Sequence, residues 1–252
     1  RLWEIDRWAL HKTHELISEV TSAYESLQFH RVFHTIHNFC AVDMSAFYLD
    51  ILKDRLYTFA KDFPERRAAQ TVLYQILLAL VKLLAPLTVF TSEEVWWATE
   101  HKDEDVSSVH RASWPTPPAE WKNDELGNRW DRIIKVRSEV ARELEKMRAA
   151  KLIGKSLEAE VSLYTDNEDL YEFLKSYEND LPMIFIVSDA AVTKGISPDA
   201  VQGEEMKELW IKAHVSENQK CERCWNYFKT VGQRPTHPTL CARCVDVIEQ
   251  LR

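Results

Sequence analysis

The feature that most restricts this chain is a pair of Cys-x-x-Cys motifs, Cys221-Glu222-Arg223-Cys224 and Cys241-Ala242-Arg243-Cys244, with sixteen residues between them. Two residues between paired cysteines allow a tight turn that aims both sulfurs at one point. Gly232, Pro235 and Pro238 suit the intervening segment to a loop that folds back. Four thiolates brought together in this way fit one tetrahedral Zn²⁺ at about 2.3 Å per bond. Two disulfides or a redox Cys-x-x-Cys are the competing readings. Redox use normally accompanies a βαβ pattern, and none surrounds this segment. A closed four-sulfur site has no open position for water, so the single zinc expected here is structural and catalyses nothing.

The fifth cysteine, Cys40, lies on an apolar helical stripe, so no disulfide framework remains and a reducing, cytoplasmic setting follows. With 252 residues, 45% of them hydrophobic, and nine tryptophans, the chain can bury a large core in one to three domains. A net charge of −8 argues against a generic polyanion binder. The charge is unevenly spread, however. Residues 129–155 carry nine lysines and arginines against four acids, and residues 220–252 six against three. Recognition over a local patch fits this pattern better than non-specific coating. The longest apolar run, residues 76–81, is too short to span a bilayer and is followed by Lys82, and no signal peptide is visible, so no membrane partner is expected. The chain opens on Arg1 inside a helical pattern and reads as a piece of a longer protein.

Residues 2–27 read as a helix, with Leu2, Ile5, Ala9, Leu16, Val20, Tyr24 and Leu27 at helical spacings. Phe33, Ile36, Cys40, Phe47 and Ile51 mark a second helix reaching Tyr57. Pro64 opens a third, rich in leucine, which Pro86 ends. Thr91-Ser92-Glu93-Glu94 reads as a capping box with Thr91 as N-cap of a fourth. Four helices with short connections predict an antiparallel bundle over residues 1–113. Trp114-Pro115-Thr116-Pro117-Pro118 cannot be regular structure and marks its boundary. Residues 119–216 read as a charged helix (126–151) followed by a small α+β domain, with strands at 159–164, 183–187 and 209–215 and a helix at 168–177. Residues 217–252 form the Cys₄ zinc ribbon-like module. The expected fold class is therefore mainly α: bundle, small α+β domain, zinc module.

Catalytic signatures are missing. Five glycines leave no G-x-G-x-x-G loop, and Gly154-Lys155-Ser156 fails as a P-loop because Ala149 stands where the first glycine belongs. His30, His34 and His37 lack an H-E-x-x-H pattern and read as surface or packing residues. No nucleophile elbow is present.

Several segments together resemble a known family. Phe47-Tyr48-Leu49-Asp50-Ile51-Leu52-Lys53-Asp54-Arg55-Leu56-Tyr57, Leu84-Ala85-Pro86, Thr91-Ser92-Glu93-Glu94-Val95-Trp96 and Ser108-Val109-His110-Arg111-Ala112-Ser113-Trp114-Pro115 are similar to the anticodon-binding bundle of the class I synthetases for isoleucine, valine and leucine. Ile153-Gly154-Lys155-Ser156-Leu157-Glu158-Ala159 and the tail Lys220-Cys221-Glu222-Arg223-Cys224-Trp225-Asn226-Tyr227 narrow the resemblance to bacterial isoleucyl-tRNA synthetases. The resemblance implies the tRNA-recognition part of an isoleucine-tRNA ligase, a monomer with tRNA(Ile) and the enzyme's own catalytic body as partners. ATP is used only in the catalytic domain, which matches nothing in this chain, so the chain alone is expected to be inactive.

Unpaired bases of RNA loops stack on aromatic and guanidinium planes, at roughly 1–3 kcal/mol per base. Arg223 and Trp225, on the zinc turn, are the first candidates for such contacts. The bland alternative is that Trp225 packs beneath the turn as core. Lys53 and Arg55, near the end of the second helix, and Arg66 and Arg67, opening the third, are candidates for the anticodon stem-loop. Arg129, Arg132, Arg137, Arg142 and Lys146 either track the RNA backbone or pair with Glu139, Glu143 and Glu145. Two other readings compete: a zinc-finger DNA-binding or base-repair module, as in formamidopyrimidine-type DNA glycosylases, and a purely structural docking domain.

Overall fold

In the computed structural model, which describes residues 2–100 and 106–250, the chain divides into two compact units. One comprises Arg1–Leu56 and Lys61–Asn128, the other Tyr57–Ala60 and Arg129–Arg252. Arg1, on which the helical pattern opens, and Arg252 lie outside the described residues.

In the first unit, α1 (Glu4–Glu25) packs against α2 (Phe29–Asn38), burying Ile5, Ala9, Leu16 and Val20 as its spacing predicts. Leu27 departs from that row. The helix ends at Glu25, Leu27 takes a left-handed φ of 55°, and its side chain is exposed. The Leu27 and Gln28 amides cap the last carbonyls of α1, the usual left-handed helix stop. After α2 the chain continues without a break as an eleven-residue π-helix, Phe39–Leu49, and then α3 (Asp50–Thr58). Phe33 therefore falls on the outer face, while Val32, Ile36 and Phe39 point inward. His30, His34 and His37 are exposed.

Helix α4 (Pro64–Leu84) starts on the expected proline and packs on α1, where Tyr24 Oη donates to the Leu83 carbonyl at 2.9 Å. By length and composition alone its 21 residues suffice to cross a membrane, because the helix runs on through Lys82. Its row of Ala69, Val72, Ile76, Ala79 and Leu83 is buried in the unit. Helix α5 (Val89–Ala98) begins a turn earlier than the capping-box pattern suggests, with Thr88 as N-cap. Glu93 is drawn off to accept hydrogen bonds from Ser108 Oγ and the Val109 amide, each at 3.0 Å.

Asp6, at the third position of α1, is wholly buried. Its carboxylate accepts two hydrogen bonds from Arg55 (3.0 and 2.9 Å), one from Tyr48 Oη (2.9 Å) and one from the Trp3 amide (3.0 Å). Arg55 is 1% exposed, lies 4.0 Å from the centre of the Trp3 ring and also donates to the Glu65 carbonyl at 2.6 Å. Burial, then the neighbouring carboxylate, push the Tyr48 phenol far above its ordinary range.

Helix α6 (Asp124–Ala149) contributes residues to both units. In the second unit it buries Trp130, Ile133, Val136, Val140, Leu144 and Met147. A four-stranded sheet follows, in the order β2 (Asp189–Lys194), β1 (Ala159–Thr165), β4 (Trp210–Val215), β3 (Val201–Gln202). The β1–β2 pair is parallel and the others antiparallel; Leu163 lies opposite Val192 on one side and Ile211 on the other. The crossover from β1 to β2 carries α7 (Glu168–Ser176), whose Asn167 cap accepts from the Leu170 amide, and α8 (Leu181–Phe185). Residues 183–187 were expected as a strand. Pro182 in the first turn starts a short helix instead, and Ile186 stops it with a φ of 57°. The strand beside β1 is the next segment.

Glu139 of α6 is the polar anchor of this unit. Its buried carboxylate accepts from the Glu204, Glu205 and Met206 amides (2.9, 2.7 and 3.0 Å) and pairs with Arg142 at 3.0 Å. Gly203 makes room for this loop, since a Cβ there would stand 2.6 Å from the Met206 carbonyl oxygen. Burial alone raises the carboxyl pKa, but the three amides and Arg142 overcome it and hold it below the ordinary 4.5. A depressed carboxylate contributes stability above its unfolded pKa and loses it as pH falls through the folded one. Glu139→Gln is therefore expected to cost about 1.5–3 kcal/mol in urea unfolding at pH 7. The gap from wild type is expected to shrink as pH falls below the ordinary carboxyl value of 4.5; a gap that does not shrink contradicts the assignment.

Candidate functional site

The second Cys-x-x-Cys pair ends in a helix that spacing did not reveal: α9 (Ala242–Gln250) begins immediately after Cys241. The first pair sits in a knuckle between β5 (Gln219–Lys220) and β6 (Tyr227–Phe228). All four cysteines are buried, and their sulfurs lie within 4.8 Å of one another. The Cys224 and Cys241 sulfurs are 3.8 Å apart, which is the edge of a tetrahedron with bonds of about 2.3 Å. N–H groups also point at the sulfurs: Cys241 donates to Cys221 Sγ at 3.3 Å, and Arg223 Nη1 to Cys244 Sγ at 3.5 Å. Hydrogen bonds from Cys241 and Cys244 pull the Cys224 thiol far below its ordinary value. Contacts with Cys224 and Cys244 push Cys241 far up, and the contact with Cys224 pushes Cys244 up to about 11. This donor set and spacing fit a structural zinc. Bound there, the metal would hold knuckle and α9 together. Among the described residues, the hydrophobic side chains that pack with the cysteines are Val231, Phe228 and Leu240.

Trp225 does not pack there. Its side chain is 50% exposed and its φ is +66°, with its amide donating to the Cys221 carbonyl at 2.8 Å. The core alternative for Trp225 is thus at odds with its placement. Arg223 is half-buried, with one arm of its guanidinium turned to Cys244.

Lys53, Arg55, Arg66 and Arg67 belong to the first unit. Lys53 is well exposed and pairs with Asp50 at 2.7 Å. Arg67 is exposed and reaches Gln70 at 3.3 Å, and Arg66 is half-buried. Arg55 requires correction as an RNA contact, because its guanidinium is enclosed with Asp6 and Trp3 and reaches no surface. Its carboxylate partner lies 49 residues away, so local reading placed it on a solvated helix end. On α6, Arg132 pairs with Asp169 (2.6 Å), Arg142 with Glu139 and Glu205, Lys146 with Glu143 (2.6 Å) and Arg148 with Glu145. These cations are committed within the unit, some to the interleaved acids of α6 and others to Asp169 and Glu205 elsewhere in the unit.

Residues 6–163, more than half of the chain, match the family profile described as "Anticodon-binding domain of tRNA ligase". The chain belongs to this anticodon-binding domain family. The tail of this family member, residues 218–247, matches a second profile, "Zinc finger found in FPG and IleRS". Proteins named isoleucine–tRNA ligase are similar over nearly its whole length. That of Caldanaerobacter subterraneus subsp. tengcongensis is 44% identical over 252 residues, covering 99% of this chain and 27% of the relative. That of Moorella thermoacetica is 45% identical over 251 residues (98% and 27%), and that of Geobacter sulfurreducens 43% over 249 (99% and 26%). The anticodon-binding chain thus spans about a quarter of the length of these relatives.

Proposed function

We propose that this chain is the tRNA-recognition part of an isoleucine–tRNA ligase, binding the anticodon stem-loop of tRNA(Ile) while a catalytic body of the same enzyme consumes ATP and attaches the amino acid. The observation that carries this reading is the pairing, in one chain, of an anticodon-binding domain with a Cys₄ knuckle whose indole is left half exposed in a left-handed conformation. A left-handed turn costs a non-glycine residue about 1–2 kcal/mol, and half of the Trp225 side chain is left in solvent. An exposed ring fixed beside a metal turn is the geometry that takes a splayed base. In this reading residues 1–113 form an antiparallel bundle, 119–216 the middle domain and 217–252 the module holding one zinc. Lys53, Arg66 and Arg67 contribute to stem-loop affinity, and Arg223 and Trp225 to base contact. The protein acts in the cytoplasm as a monomer, without a membrane, and the chain alone is inactive in charging.

Fluorescence anisotropy with tRNA(Ile) carrying its own or a replaced anticodon tests this. Base readout is expected to give about a 5- to 100-fold preference for the cognate loop. Equal binding of both RNAs would reduce the chain to a backbone contact or a docking domain.

A further inference from the structure

Two lysines crowd the Trp225 ring. Lys155 Nζ lies 4.1 Å from its centre and Lys220 Nζ 5.7 Å. Both lysines are exposed, and among the described residues neither ammonium makes an ion pair with a carboxylate. This sets them apart from the basic residues of α6, most of which are taken up by neighbouring acids. Two like charges at one ring repel each other, and an exposed cation–π contact returns only a modest part of that cost. The arrangement lacks an anion.

The backbone turns that carry the two lysines are also tied to each other. Lys155 stands on the turn leading into Ser156–Glu158, and the buried hydroxyl of Ser188 ties that turn to the knuckle. Ser188 Oγ accepts from the Tyr227 amide at 2.7 Å and donates to the Leu157 carbonyl at 2.5 Å. Lys220 is fixed by the β5–β6 pairing, opposite Tyr227. A strained exposed indole flanked by two unneutralised ammoniums on tethered turns has the composition of a single-strand nucleic-acid platform: a stacking face for a base and cations for its backbone.

We propose that Lys155 and Lys220 are the phosphate-binding half of the Trp225 site, leaving the indole face they now cover to take the phosphates on either side of the base that stacks there. This rests on the RNA reading of the same site and adds two residues and a charge count to it. The gap of more than sixty positions between Lys155 and Trp225 explains why spacing did not link them.

Salt dependence separates the two halves. Affinity of the full zinc-loaded chain for tRNA(Ile) is measured from low to moderate KCl, for wild type, Lys155→Ala, Lys220→Ala, Trp225→Ala and Lys155→Arg. Removing one cation from a phosphate of single-stranded RNA lowers the slope of log affinity against log salt by about 0.7. Each lysine-to-alanine variant is expected to show that drop. Lys155→Arg is expected to keep the wild-type slope, and Trp225→Ala to bind about 5- to 100-fold more weakly with its slope unchanged. A wild-type slope in both alanine variants, with wild-type protein binding RNA, overturns the lysine assignment alone. If wild-type protein does not bind the RNA, the underlying reading falls with it. Zinc content and far-UV dichroism confirm folding of the variants.

Discussion

Asp6→Ala is expected to destabilise the first unit by about 3–5 kcal/mol, because it leaves the Arg55 guanidinium buried without its counter-charge. The carboxylate takes four hydrogen bonds, from two side chains and a backbone amide, so its removal also strands Tyr48 Oη and the Trp3 amide. Arg55→Met is expected to cost a similar amount for the converse reason, since it leaves the Asp6 carboxylate buried without its counter-charge. The informative variant is the double change Asp6→Ala with Arg55→Met, which removes both charges and keeps most of the Arg55 volume. A buried ion pair replaced by apolar groups is often nearly neutral, so the double variant is expected to be more stable than either single one. Urea unfolding of the four proteins closes the cycle. Additive losses would show that the two groups act independently and that burial, not pairing, sets the cost. The result bears on function because Arg55 also binds the Glu65 carbonyl, and Arg66 and Arg67 follow directly on α4. A loosened pair would release the start of that helix.

What could be read from the amino acids divides along the range of the interactions involved. Apolar rows in α1 and α4, the alternating β1 and β4, and the Cys₄ spacing all express a local period, and the structure has each of them. Long-range partners were invisible. Arg55 looked like a helix-end cation until Asp6 was placed against it, and Glu139 looked like one more surface acid on α6 until three amides of the 204–206 loop closed on it. Residues 183–187 carry β-branched side chains, yet Pro182 and the left-handed Ile186 bracket a helix there, since backbone constraint outweighs a weak strand preference. At the candidate site the ligand cysteines and Trp225 are legible from spacing. Lys155 and Lys220 become part of it only when Ser188 joins two turns distant in sequence.

Removing the zinc is expected to have the other large effect, and a spatially confined one. The buried cluster around the cysteines includes one valine, with Phe228 and Leu240 partly covering it, and α9 adds Val245 and Val247, a small apolar surface for a segment of this length. Structural zinc in small modules contributes an apparent binding free energy of about 10–16 kcal/mol. Chelation, or Cys241→Ser, is therefore expected to abolish hydrogen-exchange protection across the β5–β6 knuckle and α9. The helices of the first unit, with their own core of Trp8, Leu16, Val20 and Leu83, are expected to keep theirs. A simultaneous loss of protection in the first unit would contradict this separation, and a protected tail after complete metal removal would contradict the structural role of the zinc. RNA binding is expected to follow the tail. The left-handed turn at Trp225 is held by a hydrogen bond from its amide to the Cys221 carbonyl, within the knuckle that carries Cys221 and Cys224. Once that turn relaxes to a lower-energy backbone, the indole leaves Lys155 and Lys220, and cognate preference is expected to vanish while weak, salt-sensitive affinity from the first unit persists.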